Sequence, residues 1–218
     1  MLNTLLLIFE LVGTISFSLS GALTAMRKNM DIFGACVLGM TTAVGGGVIR
    51  DIILGMTPPT VFVNPTRAII GFLIPTLAYI PIIQKFLTRN KHKTFDFCLM
   101  LADAIGLSSF TVIGVNTCFN AIQNPNVFTV AFLGVITGVG GGILRDVMSL
   151  NLPKVFVKHF HASASLIGAV TVFVIRMYFS AVAASIAGAV VILTLRLLAY
   201  SLRWTLPKPR YGFEQENK

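Results

Sequence analysis

The chain is a succession of long apolar segments separated by short polar connections. A hydrocarbon core of ~30 Å needs about 20 helical residues, so each long segment is a candidate membrane span. We number these segments spans 1 to 7, and they cover approximately residues 2–26, 32–56, 66–84, 97–121, 127–149, 160–179 and 182–204. The pattern therefore predicts an all-α polytopic membrane protein with seven transmembrane helices and no soluble domain.

Composition supports a membrane location. The 218 residues are 55% hydrophobic and only 11% charged, and the mean hydropathy is +0.83. Charged residues make up about a quarter of an ordinary soluble domain. The first 25 residues lack the basic start of a signal peptide, and they have an internal counterpart described below. We therefore expect them to be retained as a span.

The net charge of +9 does not indicate a nucleic-acid partner, because most basic residues lie in the short connections. With seven spans, one side of the membrane holds twelve lysines and arginines, and the other side holds only Arg67 and Arg176. The twelve are Arg27, Lys28, Lys85, Arg89, Lys91, Lys93, Lys154, Lys158, Arg203, Lys208, Arg210 and Lys218. Cytoplasmic connections are enriched in basic residues, so we expect the N-terminus outside and the C-terminus in the cytoplasm.

One eight-residue phrase occurs twice, as GGGVIRDI at residues 45–52 and as GGGILRDV at residues 140–147. Two further pairs of segments match at nearly the same offset: residues 10–21 with 103–114, and residues 59–63 with 153–157. Each repeat contains three spans, an odd number, so the two halves must enter the membrane from opposite faces. The sequence thus predicts an inverted repeat.

The predicted organisation follows from this repeat. Residues 1–90 form the first three-helix repeat, and residues 96–180 form the inverted second repeat. Residues 181–206 form a seventh helix outside the duplication, and residues 207–218 form a cytoplasmic tail. Inverted repeats of this kind place a functional site near the midplane, where the two halves meet.

Glycine triplets lie near the centres of spans 2 and 5. Glycine lets a helix bend or unwind, so both helices are expected to be kinked and interrupted there. Freed carbonyls and threonine hydroxyls would suit a partly dehydrated monovalent cation. The alternative is helix packing through small-residue stripes at residues 39–47 and 134–142. The pathway hypothesis assigns to the ion route Thr41, Thr42, Gly45, Gly46, Gly47, Asp51, Thr137, Gly140, Gly141, Gly142 and Asp146.

Charged side chains inside spans are costly and need partners. Arg50 is predicted to lie at the membrane depth of Glu10, and Arg145 at the depth of Asp103. The repeat makes the two pairs equivalent, so we predict Glu10–Arg50 and Asp103–Arg145 ion pairs. These pairs would be structural bridges, parts of a charged gate or voltage-sensitive element, or both.

The acidic residues that follow the two arginines are a separate case. Adjacent helical residues point about 100° apart, so Asp51 is not expected to pair with Arg50, nor Asp146 with Arg145. Both carboxylates are instead expected to face the water-filled path and attract cations.

Catalysis and resident metals are not expected. Cys36, Cys98 and Cys118 are scattered through apolar runs without metal-binding spacing. His159 and His161 lie at a predicted helix start, where an interfacial role is favoured over a metal site for lack of a third ligand. The sequence offers no nucleophile–base pair and no phosphate-binding loop, so we predict that the protein is not an enzyme.

Seven spans with GGG-x-x-RD in the second and fifth resemble the prokaryotic branch of the trimeric intracellular cation (TRIC) channels, a family also catalogued as a glycine transporter domain. The resemblance covers nearly the whole chain apart from the tail. It implies a homotrimer in which each protomer has its own pore, lined mainly by the second and fifth helices and conducting K⁺ and Na⁺. The lipid-headgroup motif of the animal members has no clear match, so lipid regulation is not carried over.

The expected function is a passive monovalent-cation channel in a prokaryotic plasma (inner) membrane. Its partners would be membrane lipid, two further copies of itself and the permeant K⁺ or Na⁺, with no cofactor. A secondary carrier for glycine or another small solute is the alternative, because broken helices in inverted repeats also suit alternating access. A membrane scaffold without transport activity is a third reading, which leaves the triplets unexplained.

Overall fold

The computed structural model describes residues 1–88, 93–157 and 161–202, and these residues form helices without strands. The helices are α1 (Leu2–Arg27), α2 (Ile32–Ile53), α3 (Thr60–Val63), α4 (Thr66–Ala78), α5 (Pro81–Thr88), α6 (Lys93–Ala121), α7 (Val127–Met148), α8 (Lys154–Val157), α9 (His161–Tyr178) and α10 (Ala181–Ser201). The predicted tail at residues 207–218 lies outside the described residues, as do several of the basic residues behind the predicted orientation.

Six of the described helices are long and apolar enough to cross a membrane, namely α1, α2, α6, α7, α9 and α10. The third predicted span is wrong as a single helix, because it is divided into α4 and α5 at Tyr79 and Ile80. Pro81 explains the division, since proline disfavours helical geometry in the residue before it and lacks an N–H. The 13 residues of α4 extend only ~20 Å.

The repeat is visible in the order and size of the helices. Helices α1 to α4 correspond to α6 to α9, and α10 stands outside the duplication. The starts of α2 and α7 are capped in the same way. Asp31 Oδ1 accepts the Gly34 N–H at 2.7 Å, and Asn126 Oδ1 accepts the Thr129 N–H at 2.8 Å. Such caps satisfy the N–H groups that a helix start leaves unpaired.

Helices α1, α2, α6 and α7 form the centre of the molecule, and α4, α9 and α10 pack around them. Small residues allow close backbone approach: an ideal Cβ on Gly21 in α1 would lie 2.6 Å from the Gly39 Cα in α2. In lipid, helices associate mainly through such close packing. The most buried span is α6, with 78% of its apolar window inside the protein. The repeats are therefore joined along α1–α6 and α2–α7.

Candidate functional site

The two glycine triplets meet where α2 crosses α7. A Cβ added to Gly46 would lie closer than 3.0 Å to the Thr137 carbonyl oxygen, and one added to Gly141 would lie equally close to the Thr42 carbonyl oxygen. The two contacts are reciprocal, since each residue of one pair stands 95 positions from its counterpart in the other. These contacts relate the two repeats by a pseudo-twofold axis that passes through the crossing, where the backbones of α2 and α7 are in contact.

The expected interruption of both helices is wrong. Helix α2 runs unbroken from Ile32 to Ile53, and α7 runs unbroken from Val127 to Met148. Glycine is required here for another reason: because it has no side chain, the backbones of α2 and α7 can approach closely. Such a contact selects glycine as strongly as a helix break does. A bend that keeps the helical hydrogen bonds stays a prediction.

The threonine hydroxyls at the crossing are occupied within their own helices. Thr42 Oγ1 donates to the Leu38 carbonyl at 2.6 Å, and Thr137 Oγ1 donates to the Leu133 carbonyl at 2.5 Å. Both threonines are fully buried, whereas Thr41 is half-buried. Such bonds to the preceding turn are common for threonine in helices, so these hydroxyls line no open passage in this structure.

The remaining glycines of the triplets have different neighbours. A Cβ on Gly45 would lie 2.5 Å from Leu144 Cδ1, and one on Gly140 would lie 3.0 Å from the Gly46 Cα. A Cβ on Gly142, by contrast, would meet only the Arg145 guanidinium, at 3.9 Å. The first two positions of each triplet therefore serve the crossing, and the third makes space beside an arginine.

At one end of the crossing, five polar side chains form the first cluster: Glu10, Arg50, Asp51, Thr60 and Arg67. Arg50 donates through Nε at 2.8 Å and Nη2 at 2.6 Å to Asp51 Oδ1. Asp51 Oδ2 accepts the Thr60 N–H at 2.8 Å and the Thr60 hydroxyl at 2.6 Å. Arg67 joins the Thr60 hydroxyl at 2.6 Å to the Glu10 carboxylate at 2.8 Å. The short helix α3 is thereby anchored to α2.

At the other end, five side chains form the second cluster: Ser20, Asp103, Arg145, Asp146 and Lys154. Arg145 donates to Asp146 Oδ1 through Nε at 2.9 Å and Nη2 at 2.8 Å, while its Nη1 contacts Asp103 and Ser20. The Lys154 ammonium bonds Asp103 Oδ2 at 2.9 Å, and the Lys154 N–H bonds Asp146 Oδ2, also at 2.9 Å. The cluster ties α1, α6, α7 and α8 together.

The expectation that neighbouring arginine and aspartate do not pair is wrong in both repeats. The Arg50–Asp51 and Arg145–Asp146 pairs are built alike, and the second carboxylate oxygen of each aspartate accepts an N–H from the short helix that follows. Long side chains at a helix end can fold back towards each other when α3 or α8 fixes the carboxylate. The two aspartates are therefore neutralised by arginine, and Asp146 also lines a small cavity of about 20 Å³.

Of the two predicted long-range pairs, Asp103–Arg145 is present and Glu10–Arg50 is wrong. Glu10 pairs with Arg67 of α4, a residue that the sequence analysis used only as a marker of orientation. Glu10 reaches Arg67 at the start of α4, whereas His161 occupies the equivalent position of the second repeat. One sequence signal was missed: Glu10 and Asp51 are two acids, and Arg50 alone balances only one of them.

Each cluster contains two acidic and two basic side chains, so each is balanced. The central groups are deeply buried, with 3% or less of Arg50, Asp51, Arg145 and Asp146 exposed. Buried charges of this kind are tolerable only when paired and hydrogen-bonded. Lys154 lies at the edge of the second cluster, in the connection between α7 and α9. Burial lowers the pKa of its ammonium, and the Asp103 carboxylate opposes that shift.

Two cavities adjoin the second cluster. The larger holds about 260 Å³ and is lined by Arg27, Asp96, Leu99, Met100, Asp103, Lys154, His161, Arg196 and Tyr200. The smaller holds about 20 Å³ and shares three of these residues: Asp103, Lys154 and His161. A volume of that size accommodates about one water molecule. Arg145 of the second cluster lines the smaller cavity.

One of the two histidines considered in the sequence analysis lies in the described part of the chain. His161 Nδ1 lies 2.7 Å from Arg196 Nη1, and His159 lies outside the described residues. Among the residues that are described, no group of three His, Cys, Asp or Glu side chains could hold an ion.

Comparison with known proteins identifies a family and relatives that this chain resembles. The family model described as "Glycine transporter" matches residues 7–81 and 100–177. The chain is 37% identical over 211 residues to the "UPF0126 inner membrane protein YadS" of Escherichia coli (strain K12), with 96% of this chain and 97% of that protein covered. It is 35% identical over 189 residues to a "UPF0126 membrane protein" of Deinococcus radiodurans, with 86% and 84% covered.

Solved structures share the fold. One is described as "Structural basis for conductance through TRIC cation channels", with a TM-score of 0.81, 34% identity, and 94% of this chain and 98% of that chain covered. Another is described as "Crystal structure of a prokaryotic TRIC channel in 0.5 M KCl", with a TM-score of 0.85, 27% identity, and 94% and 100% covered. The chain therefore belongs to the family described as "Glycine transporter", and it has the fold of the prokaryotic TRIC channels that its sequence resembles.

Proposed function

We propose that the protein is a channel for monovalent cations such as K⁺ and Na⁺, with one route through each protomer. The observation that carries this proposal is the pair of charged clusters buried at opposite ends of the α2–α7 crossing. Ionisable residues inside membrane spans mark ion or substrate pathways in general. The likeness to solved TRIC cation channels supports the same assignment.

The route is proposed to pass the second cluster, cross the level of the glycine triplets and leave past the first cluster. Cations would enter through the larger cavity, where Lys154 lines the wall with a quarter of its side chain exposed. The ion pairs Asp103–Arg145 and Glu10–Arg67 would shape the gate by holding the helices on either side. Asp51 and Asp146 would contribute by fixing the arginines rather than by binding ions directly.

The assembly is proposed to be a homotrimer in a bacterial inner membrane, with the N-terminus outside and the C-terminus cytoplasmic. A relative named as an inner membrane protein and solved channels named as trimeric intracellular cation channels support these points. Exposed apolar side chains on α9 and α10 offer surfaces for lipid or for further copies.

Planar-bilayer recording of the purified protein tests the function. We expect unitary currents whose reversal potential in a KCl gradient lies near that of K⁺. For the route, Lys154→Gln should raise the unitary K⁺ conductance at low ionic strength, because it removes a cation from the entrance. Lys85→Gln, at an exposed site on α5, is the matched control and should leave conductance unchanged. A protein that is folded and trimeric yet electrically silent would contradict the channel.

A carrier for glycine is the second candidate. The description of the family model favours it, and so does the tight crossing, because alternating access needs a barrier at the midplane. The discriminating measurement is glycine counterflow in proteoliposomes. Saturable uptake that depends on internal glycine, without unitary currents, would favour the carrier over the channel.

A further inference from the structure

A third cavity, of about 750 Å³, lies at the ends of α6 and α9 and shares no residue with either charged cluster. Its wall consists of residues 119–125, at the end of α6 and in the connection to α7, and of Phe173, Arg176 and Met177 in α9. By the predicted orientation, these helix ends lie at the outer face of the membrane. Ligand pockets commonly have volumes of ~300–1,000 Å³, so the cavity has the size of a binding site.

Arg176 is the charged member of this wall, and its guanidinium is held on two sides. Its Nη1 donates to Asn116 Oδ1 at 2.7 Å, and its Cζ lies 4.3 Å from the centroid of the Phe119 ring. Asn116 is buried, and its Nδ2 donates to the Val112 carbonyl at 2.9 Å and to Ser185 Oγ at 3.0 Å. These two bonds occupy the amide nitrogen, so the amide oxygen is directed at the arginine.

The positive charge of Arg176 is not balanced by the protein. Four other arginines each have a carboxylate partner, namely Arg27, Arg50, Arg67 and Arg145. In the described part of the chain, Arg176 has no carboxylate partner, and no group accepts a hydrogen bond from its Nε or Nη2. These N–H groups belong to the fork with which arginine binds two oxygens of a phosphate or carboxylate. The site therefore suits an anion.

The first repeat differs at the equivalent place. At an offset of 94, Phe173 corresponds to Tyr79 and Arg176 corresponds to Ile82. The Tyr79 hydroxyl donates to the Met30 carbonyl at 2.9 Å and so ties α4 to the connection between α1 and α2. Phe173 has no hydroxyl, and the connection from α6 to α7 has five residues, one more than the connection from α1 to α2. The duplication alone therefore does not explain the cavity or its arginine.

The surroundings of the cavity indicate where its ligand comes from. Met177, Tyr178 and Phe179 follow Arg176 directly and are exposed. Aromatic side chains at the end of a membrane span lie at the level of the lipid headgroups. A phosphate bound by Arg176 would thus lie at headgroup level, beside apolar side chains that acyl chains can contact.

We propose that this cavity binds the headgroup of an anionic phospholipid from the outer leaflet, with its phosphate held by Arg176. The exposed amides of Asn120 and Gln123 in the wall supply neutral donors for the remaining headgroup oxygens. A free phosphate ion would satisfy the arginine equally well, but it would leave the apolar side chains at the cavity without a partner. This inference does not depend on the proposed channel function.

Native mass spectrometry of the purified protein, titrated with phosphatidylglycerol, tests the site. Arg176→Gln should weaken the tightest binding by about ten- to hundredfold, which corresponds to roughly 1.4–2.8 kcal/mol, because it removes a charge-assisted contact with the phosphate. Arg176→Lys keeps the charge but loses the fork, so its Kd should lie between those of the parent protein and Arg176→Gln.

Arg27→Gln is the matched control. Arg27 also lies at the end of a span over an aromatic ring, with its Cζ 5.0 Å from the centroid of Phe95. Its charge is already balanced by Asp96, so the variant should bind phosphatidylglycerol like the parent protein.

Phe173→Tyr tests the cavity without changing its charge. It introduces the hydroxyl that the first repeat has at Tyr79 and should narrow the space for the headgroup. We expect weaker phosphatidylglycerol binding with Arg176 intact.

Two results would overturn the proposal. Parent-like affinity in Arg176→Gln, Arg176→Lys and Phe173→Tyr would show that the cavity is not the lipid site. If inorganic phosphate displaces phosphatidylglycerol at equal concentration, the phosphate alone accounts for binding, and the site belongs to a free anion. Circular dichroism identifies the folded variants, and Arg176→Lys with Phe173→Tyr decides the matter if Arg176→Gln does not fold.

Discussion

Replacing Gly141 by alanine places a methyl group against the backbone of α2. The new carbon would lie inside 3.0 Å of the Thr42 carbonyl oxygen, a distance that real Cβ atoms essentially never show. A backbone atom cannot rotate away as a flexible side chain can, so α2 and α7 must separate. Overpacking of this kind costs about 1–3 kcal/mol, while alanine recovers roughly 1 kcal/mol of helix propensity.

Gly142→Ala is the matched comparison, because it gives the same propensity gain one residue further along the same helix. Its methyl group would meet only the Arg145 guanidinium, at 3.9 Å. The propensity gains cancel, so the two variants should differ by about 1–3 kcal/mol in the free energy of unfolding. The same contrast in the first repeat is Gly46→Ala against Gly47→Ala.

Helicity measured by circular dichroism during SDS titration in mixed micelles gives the free energies of unfolding. Thermal midpoints in detergent provide an independent measure, with roughly 2–4 °C expected per kcal/mol for a chain of this length. The reasoning fails if Gly141→Ala is as stable as Gly142→Ala. That result would mean that the two helices are not in backbone contact at this position.

The same unfolding assay checks three further expectations. Asp103→Asn should lower the free energy of unfolding by about 3–5 kcal/mol, because it leaves buried cations without their acid. Glu10→Gln should lower it by less than about 1 kcal/mol, because the Glu10 side chain is 33% exposed. Equal losses would contradict the burial argument. Thr60→Val should cost about 1–3 kcal/mol, since it removes the hydroxyl bonded to Asp51 at 2.6 Å, and a neutral effect would show that this bond is unimportant. Arg50→Lys keeps the charge but loses one of two bonds to the same oxygen of Asp51, so a loss of about 1–2 kcal/mol is expected and an unchanged free energy would refute it.

Much of the fold is encoded in one-dimensional patterns. Apolar segment length predicts the long helices because the thickness of the bilayer sets that length, and six of the predicted spans have a described helix of spanning length. The third span failed because length and hydropathy ignore the local effect of Pro81 on the backbone. The duplication was readable because the same short motif returns at a fixed offset, and the matching caps at Asp31 and Asn126 follow it.

The site was predictable in composition but not in geometry. The sequence placed Asp103 beside Arg145 because depth along two spans can be estimated from residue counts. It could not place Arg67 beside Glu10, since that contact depends on how α3 and α4 return to α1. Nor could it distinguish a glycine that breaks a helix from a glycine that admits a neighbouring backbone, because both uses select the same residue.

By itself, the sequence identified a duplicated membrane protein with charge in its second and fifth spans, and it predicts that the two halves run in opposite directions. These properties follow from hydropathy, segment length and repetition, which can be read along the chain without knowing which distant residues are in contact. Only the tertiary structure decided that the triplets are a contact between unbroken helices, that each arginine pairs with its neighbouring aspartate, and that Phe17 of α1 stacks on Phe110 of α6. Those facts depend on distances between residues far apart in sequence, which are set by the packing of all the helices together.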